Sequence, residues 1–532
     1  MSTVQRVVIV GGGTAGWMTA AGLTTVVGHR CDITLIESAE IGTVGVGEAT
    51  LPHIKDFNDY LGIDEAEFMR ATQATFKLGI EFVDWGKPGN SYIHPFGTFG
   101  QPLGGVDFIH VWNRARLHDQ AAPLESYSYA IAAARAGRFD FPSSDSKSLK
   151  STYAYAYHFD ASLYAAFLRQ FAERKGMMRV EGKIVDVRRH TVTGNVTEVV
   201  LASGETVAGD LFIDCSGFRG LLIEGALNAG WDDWTPWLPC DRAFAVPCDR
   251  AGPTSSMRSS AAQAPRNGSG GQSPLPDGKP SGLSPYTRAT ALEAGWQWRI
   301  QLQHRTGNGY VFSSAFIGED AAADRLLGNL EGKALADPKL LKFAAGRRKT
   351  SWKNNCIAIG LASGFLEPLE STSIYLIQIA ITNLLQLFPG RDIDPRLRNA
   401  FNHLVDIEYE RVRDFLILHY HANTSDGDLW AYTRNMPVPD TLTERLEQFR
   451  HRGLLQKYKD GLFSPASWLA VYAGQDILPG GYDRLTDAVP FPELKAWLDD
   501  LERRIRLNVD EMPDHAAFIR GYCAAPDLVE AM

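Results

Sequence analysis

Near the N-terminus, the chain carries a run of glycines at a spacing that can bind a nucleotide. The glycines of Gly11-x-Gly13-x-x-Gly16 follow the apolar run Val7-Val8-Ile9-Val10. This spacing allows a tight turn and lets a pyrophosphate approach the backbone amides at the start of a helix. Glu37, about 20 residues after Gly16, has the position of an acid that binds a ribose hydroxyl. The pattern predicts a dinucleotide site without separating FAD from NAD.

A lysine and an acidic segment have side chains that could react. Lys77 lies in the apolar run Phe76-Lys77-Leu78-Gly79-Ile80, where burial would lower the pKa of its ammonium and leave a neutral amine. A surface lysine is the ordinary alternative. Further along the chain, Glu370 could act as a proton acceptor, or simply interact with the dipole of a following helix. The backbone amides of Thr372 and Ser373 would form a small anion pocket at that helix start.

Composition limits the classes of protein. The 532 residues predict about two to four domains, and a net charge of −9 argues against a nucleic-acid surface. A secretory leader and an apolar run of spanning length are not expected, so we predict no membrane association. The six cysteines form no C-x-x-C pair, which favours reduced thiols, no metal site and a cytoplasmic location.

The elements that position these residues open with a βαβ unit, in which a strand at 6–10 and a helix at 16–27 precede a strand at 32–37. Strands are also predicted at 180–187, 196–201, 211–214 and 355–359, and we expect them to share one sheet. The predicted fold is therefore α/β, with a discontinuous Rossmann-like domain in a core at 1–390. Substrate-side segments are inserted at about 53–175 and 216–350. Residues 251–284 predict a flexible loop, or alternatively a lid, and residues 391–532 a mainly helical C-terminal region.

Four further motifs make a resemblance specific. They are Gly45-Val46-Gly47-Glu48-Ala49-Thr50-Leu51-Pro52, Leu211-Phe-Ile-Asp-Cys-Ser-Gly-Phe-Arg-Gly220, Gly295-Trp-Gln-Trp-Arg-Ile300 and Leu366-Glu-Pro-Leu-Glu-Ser-Thr372. Together with the N-terminal glycines, and in this order, they resemble the flavin-dependent tryptophan halogenases up to about residue 425. The motif with two tryptophans, Gly295–Ile300, and the Glu-Ser-Thr segment are much more specific for this family than the glycines are.

The resemblance implies an activity and a site. FAD in a GR2-type, monooxygenase-like domain, reduced to FADH2 by a separate flavin reductase, would react with O2 and chloride or bromide to give hypohalous acid. Lys77 would pass the halogen to an aromatic ring held by His94 and Phe96, with Glu370 assisting and halide near Thr372 and Ser373. The implied cofactor contacts are Gly11, Gly13, Thr14, Ala15, Gly16, Glu37, Gly45, Val46, Glu48, Ala49, Ile184, Leu361 and Ile374.

The chain also departs from the pattern of this family. Ser373 stands where the family usually has glycine, which leaves the choice between chloride and bromide open. The later Tyr/Glu/Phe segment that grips the amino-acid end of tryptophan has no convincing copy in residues 440–475. Free indole, an indole derivative or a larger aromatic is therefore an alternative to tryptophan. A flavin-dependent aromatic hydroxylase and a non-catalytic FAD-binding protein stay open as other functions, and a homodimer as an assembly.

Overall fold

The structure is a computed structural model that describes residues 4–38, 47–250, 282–457 and 461–526. Its strands are β1 (Arg6–Val10), β2 (Asp32–Glu37), β3 (Gly47–Ala49), β4 (Thr75–Lys77), β5 (Gly79–Val83), β6 (Ser91–Pro95), β7 (Ala156–Asp160), β8 (Met178–Glu181), β9 (Ile184–Arg189), β10 (Val196–Leu201), β11 (Thr206–Ala208), β12 (Leu211–Asp214), β13 (Trp231–Asp233), β14 (Arg242–Cys248), β15 (Thr287–Leu292), β16 (Gly295–Gln301), β17 (Thr306–Phe312), β18 (Lys339–Lys342), β19 (Gly346–Arg348), β20 (Trp352–Lys353), β21 (Cys356–Ala358) and β22 (Gly364–Phe365).

The α-helices are α1 (Thr14–Val27), α2 (His53–Leu61), α3 (Glu65–Ala71), α4 (Phe108–Arg116), α5 (Tyr129–Arg135), α6 (Ala161–Arg174), α7 (Glu319–Gly328), α8 (Thr372–Gln386), α9 (Pro395–His421), α10 (Asp428–Asn435), α11 (Asp440–Arg452), α12 (Pro465–Gly474), α13 (Phe491–Asp510) and α14 (His515–Tyr522). A π-helical segment spans Leu221–Ala226, and short 3-10 turns include Gly217–Arg219, Gly360–Ala362 and Pro368–Glu370. Within the described part of the chain, no helix is both long and apolar enough to cross a membrane.

A six-stranded sheet carries the N-terminal glycine motif. Its order is β20-β21-β12-β1-β2-β8, and all its pairs are parallel except β20 with β21. Strand β1 lies at its centre with Val7, Val8, Ile9 and Val10 buried, the continuous apolar run that a strand covered on both faces requires. Helix α1 packs beside it against α6 and α8. The predicted βαβ opening is confirmed, although α1 begins two residues earlier than predicted.

The predicted strand at 180–187 is wrong, because the chain forms two strands there. Strand β8 ends at Glu181 and pairs with β2, whereas β9 begins at Ile184 and pairs with β10 in a separate three-stranded sheet, β11-β10-β9. Gly182 lies between them, and its amide donates to the carbonyl of Glu37. A Cβ on Gly182 would lie only 2.9 Å from Leu201 Cδ1. Residues 184–201 therefore do not share the sheet of β1, contrary to expectation.

Two other sheets position the second half of the site. A seven-stranded sheet, β18-β14-β17-β16-β15-β5-β6, carries Trp296 and Trp298 on β16 and His94 on β6. A small sheet, β3-β7-β4, places Glu48 opposite Phe159 and Lys77 opposite Ala156 on the shared strand β7. The small sheet thereby places Glu48 and Lys77 on the two strands that flank β7.

The C-terminal part is helical, as predicted. Helix α9 packs against α8, α10 and α11, and α13 packs against α4 and α5. Residues 251–281 of the predicted loop lie outside the described residues, and at its end Leu283 and Ser284 are buried. The division of the chain at residue 390 and the boundaries of the inserted segments stay predictions.

Candidate active site

A cavity of about 470 Å³ lies at the carboxyl ends of β1 and β2, where dinucleotides bind in open parallel sheets. Ten of the residues predicted to contact a cofactor line it: Gly11, Gly13, Thr14, Ala15, Glu37, Glu48, Ala49, Ile184, Leu361 and Ile374. Gly16 does not line the cavity. It is buried in α1, where a Cβ would lie 1.8 Å from the carbonyl oxygen of Gly11, so its part is close packing. The predicted contacts Gly45 and Val46 lie outside the described residues.

Two positions of the glycine turn are packed too closely for any side chain. Gly11 has φ +111°, and a Cβ there would lie 2.3 Å from the carbonyl oxygen of Cys215; a Cβ on Gly12 would lie 1.6 Å from Glu37 Oε2. Arg179 Nε donates to Glu37 Oε1 at 2.5 Å and Trp17 Nε1 donates to Oε2 at 3.3 Å. The acid is thus held at the edge of the cavity, as a ribose partner must be. These residues fit a flavin dinucleotide.

Lys77 is completely buried. Its Nζ donates to the carbonyl oxygen of Thr50 at 2.9 Å and to Ser371 Oγ at 2.8 Å, and it lies 5.0 Å from the centroid of the Phe96 ring. Burial lowers the pKa of Lys77 to about 7, against the opposing attraction of the carboxylates of Glu370 and Glu48. A substantial fraction of this lysine is therefore a neutral amine at neutral pH.

Ser371 links Lys77 to the dinucleotide cavity. Its backbone is left-handed (φ 59°, ψ 34°) and precedes α8, yet its side chain makes no capping hydrogen bond. The hydroxyl accepts from Lys77 instead, and Ser371 also lines the cavity. A strained non-glycine backbone at such a position is often functional.

The two residues predicted to bind halide differ in position. Ser373 lines the cavity, whereas Thr372 is fully buried, and its Oγ1 has no hydrogen-bond partner among the described residues. Both belong to the first turn of α8, whose amides lack partners within the helix. The halide site stays a prediction.

Glu370 lies between two buried histidines. His94 Nδ1 is 2.7 Å from Oε2, and His419 Nε2 is 2.8 Å from Oε1, although the second contact lacks the alignment of a good hydrogen bond. Burial would raise the pKa of Glu370, but the two histidines outweigh it and hold the pKa at about 2. Glu370 is thus an ionised carboxylate inside the protein.

The Phe96 ring beside Lys77 belongs to a group of aromatic side chains. His94 and Phe96 have ring centroids 6.5 Å apart and planes at 80°, so they form an edge-and-face wall and not two parallel plates. Phe463 lies 6.1 Å from His94 and stacks on Phe415 at 3.9 Å. Such rings offer a flat apolar surface for an aromatic substrate.

Sequence reasoning missed two residues of this site. His419 lies on α9 four residues after Phe415, within the apolar run Ile417-Leu418-His419-Tyr420; a histidine in such a run is the signal that could have found it. Ser371 has no signal of its own in the sequence beyond its place in the Glu-Ser-Thr segment. No group of three or more His, Cys, Asp and Glu side chains in the ranges described here could hold a metal ion.

Comparisons with known proteins agree with this geometry. Residues 6–491 match the family model for tryptophan halogenase. The chain belongs to the tryptophan halogenase family. It is 38% identical over 538 aligned residues to the tryptophan 6-halogenase SttH of Streptomyces toxytricini, with 96% of each chain covered.

Solved structures of flavin-dependent halogenases are still more similar. Xcc4156 from Xanthomonas campestris has a TM-score of 0.90 and 43% identity, and BrvH from Brevundimonas sp. BAL3 a TM-score of 0.89 and 43% identity. In both comparisons 98% of this chain and 99% of the other are covered. The predicted family, the α/β fold with a Rossmann-like FAD domain and the enzyme class of flavin-dependent halogenase are confirmed.

Proposed function

We propose that this halogenase transfers an oxidised halogen through Lys77 to a carbon of an indole-type aromatic ring. The observation that carries the proposal is the position of Lys77. Its Nζ contacts Ser371, which lines the dinucleotide cavity, and faces Phe96, which belongs to the aromatic wall. A buried amine between the dinucleotide cavity and the aromatic wall can accept an electrophile on one side and present it on the other.

FAD, supplied as FADH2 by a separate reductase, would provide hypohalous acid from O2 and chloride or bromide. The residues that would hold it are the glycine turn, Glu37 and the remaining predicted residues that line the cavity. Halide would bind at the first-turn amides of α8, where the helix dipole favours an anion. Ser373 faces the cavity and is the nearer of the two predicted halide residues to a ligand there.

The neutral amine of Lys77 would attack the halogen of hypohalous acid, so that an N–halogen bond forms at Nζ as the O–halogen bond breaks and hydroxide leaves. The halogen would then pass to a carbon of the ring that Phe96 contacts as the N–halogen bond breaks, which restores the neutral amine. Glu370 would then accept the proton that leaves the substituted ring carbon. Its charge also stabilises the positive ring that forms before that proton leaves. His94 keeps the carboxylate turned towards this space through its contact with Oε2.

The substrate class we propose is free indole or an indole derivative, with tryptophan as one member. The relatives include a tryptophan 6-halogenase, while the segment that grips the amino-acid end of tryptophan is not evident in residues 440–475. The aromatic wall of His94, Phe96 and Phe463 needs only a flat ring.

The test is a product assay with FADH2, O2 and indole, carried out once with bromide and once without it. We expect brominated indole, identified by its bromine isotope pair in mass spectrometry, and loss of at least about 100-fold in rate in Lys77→Met. Lys55→Met, on the surface, is the matched control. A hydroxylated product that forms without halide would show an aromatic hydroxylase and overturn the proposal, and retained flavin binding without turnover over several aromatics would do the same.

A further inference from the structure

A histidine on α9 extends the site beyond its predicted residues. His419 is fully buried, and its Nε2 lies 2.8 Å from Glu370 Oε1. The opposite oxygen, Oε2, receives His94 Nδ1 at 2.7 Å. Glu370 is therefore hydrogen-bonded at Oε2 by a residue from β6 and closely contacted at Oε1 by a residue from α9.

The other side of His419 fixes which ring nitrogen carries the proton. Gln475 Nε2 donates to Tyr92 OH at 3.1 Å, and Tyr92 OH lies 3.4 Å from His419 Nδ1. Burial raises the pKa of Tyr92 well above its ordinary value, so the phenol keeps its proton. Because the phenol oxygen accepts from Gln475, its own hydrogen can point to Nδ1; with that arrangement the hydrogen of neutral His419 sits on Nε2, on the side of Glu370.

The ring of His419 is also held in place by packing. Phe82 stacks on it with centroids 4.6 Å apart and stacks on Tyr92 at 5.1 Å, while Phe415 meets its edge at 5.3 Å. Phe82 therefore fixes both rings in one stack. Such packing is how an enzyme keeps a supporting group aimed at a catalytic one.

We propose that His419 is a positioning residue, whose Nε2 lies 2.8 Å from Glu370 Oε1 and holds the carboxylate in place to receive the ring proton. The inference rests on the proposed function, since it concerns the proton that leaves the halogenated carbon. That proton moves to the carboxylate as the C–H electron pair returns to the ring; no other reactant is needed.

The charged and titratable groups around Glu370 all bear on this role. They are His94 and Tyr92 on β6, Lys77 on β4 and His419 on α9. Without the His419 donor, the burial that already opposes ionisation of Glu370 would raise its pKa. Removing the ring proton would then become slow enough to limit the reaction.

The experiment compares His419→Phe, His419→Gln and Tyr92→Phe with His421→Phe as control. His421 lies on the same helix and contacts the carbonyl of Thr433 instead of Glu370. With indole deuterated at the halogenated carbon, we expect a kcat at least about tenfold lower in His419→Phe. A primary isotope effect on kcat should appear that wild type and His421→Phe lack. His419→Gln restores a donor and should recover part of the rate with little change in KM.

A readout without turnover supports the same point. In an infrared titration of the protein without flavin, the band of protonated Glu370 is identified as the carboxyl band that Glu370→Gln removes. As the pH is lowered, this band should appear at a higher pH in His419→Phe than in wild type. If His419→Phe does not fold, His419→Gln and Tyr92→Phe carry both measurements.

The outcomes separate the two proposals. Glu370→Gln could lose rate and show an isotope effect while the His419 variants keep the isotope effect and the titration of wild type. That result would overturn the role of His419 alone. A uniform rate loss without an isotope effect would do the same. Unimpaired halogenation by Glu370→Gln would instead overturn the proposed role of Glu370.

Discussion

Lys77 Nζ and Ser371 Oγ are 2.8 Å apart although 294 residues separate them in the sequence. The contact joins β4 to the left-handed residue that precedes α8. Since Ser371 lines the cavity and Lys77 does not, the serine hydroxyl stands between the dinucleotide compartment and the amine.

Lys77 should make the stability of the protein depend on pH. Its pKa is about 7 in the folded state, against an ordinary value of 10.5, so between these values only the unfolded chain binds the proton. Stability should therefore rise with pH across this window, by a few kcal/mol on the order-of-magnitude linkage estimate. Urea unfolding at several pH values should show the rise in wild type and a flatter curve in Lys77→Met.

The neighbouring carboxyl needs its own control in that experiment. Burial raises the pKa of Glu48 to about 7, with Lys77 opposing the shift. The comparison should therefore be repeated in a Glu48→Gln background. If the lysine contribution to the slope vanishes there, the amine is not the titrating group.

Ser371 should have a strained backbone, because its left-handed conformation accompanies the hydrogen bond that its hydroxyl accepts from Lys77. Ser371→Ala and Ser371→Gly both remove the acceptor of Lys77, but only glycine adopts φ 59° without strain. We expect Ser371→Gly to be more stable than Ser371→Ala by about 1 kcal/mol, measured by urea unfolding. Both should halogenate more slowly than wild type, and equal stability of the two variants would exclude strain at this residue.

Gly12→Ala should weaken flavin binding by displacing an acid. The new Cβ would meet Glu37 Oε2 at 1.6 Å and its Cβ at 2.5 Å, so the carboxylate must leave its contacts with Trp17 and Arg179. Loss of a charged hydrogen bond to a ribose should raise the Kd for FAD about 10- to 100-fold. Fluorescence titration measures this, with Gly328→Ala, which has open space around its Cβ, as the control.

His515 should hold the strand of Lys77 in place from the C-terminal helix. Its Nε2 accepts from the amide of Phe76 at 3.2 Å, and its Nδ1 donates to the carbonyl of Leu283 at 2.9 Å. His515→Phe leaves both backbone groups buried without partners, at a cost of about 2 kcal/mol or more. Thermal or urea unfolding should show the loss, and exposed His451→Phe should show none.

The same histidine predicts an acid effect. Burial lowers the pKa of His515 to about 4 from an ordinary 6.5, so its neutral form contributes stability that is lost as pH falls from 6.5 towards 4. His515→Phe should remove that part of the acid sensitivity. An unchanged difference in stability between pH 7 and pH 5 would contradict this assignment.

Local pattern was enough to predict the nucleotide half of the molecule. The apolar run of β1, the glycine spacing and the acid at Glu37 are contiguous signals, and the parallel sheet follows from them. The split at Gly182 is not evident from the sequence because the interruption is short: apolar residues resume at Ile184, directly after Glu181-Gly182-Lys183. Only the approach of Leu201 from another strand shows why the chain must turn there.

The reactive half depended on residues that are distant in sequence. Lys77, Glu370 and His94 could be named because motifs carry them, but no spacing rule places His419 against Glu370 or Ser371 against Lys77. Those contacts cross 49 and 294 residues, and they arise from packing of α9 and the start of α8 on β4 and β6. The domain boundaries, halide residues and individual cofactor contacts stay predictions.

Phe76 and His515 are in contact although 439 residues separate them in the chain. During synthesis, β4 must therefore wait for α14 before this contact can form. Every residue that lines the dinucleotide cavity has been synthesised by Tyr409, while the helix that secures the lysine strand emerges from the ribosome about a hundred residues later. A nascent chain can thus complete the residues of its dinucleotide cavity before α14 is available to hold β4.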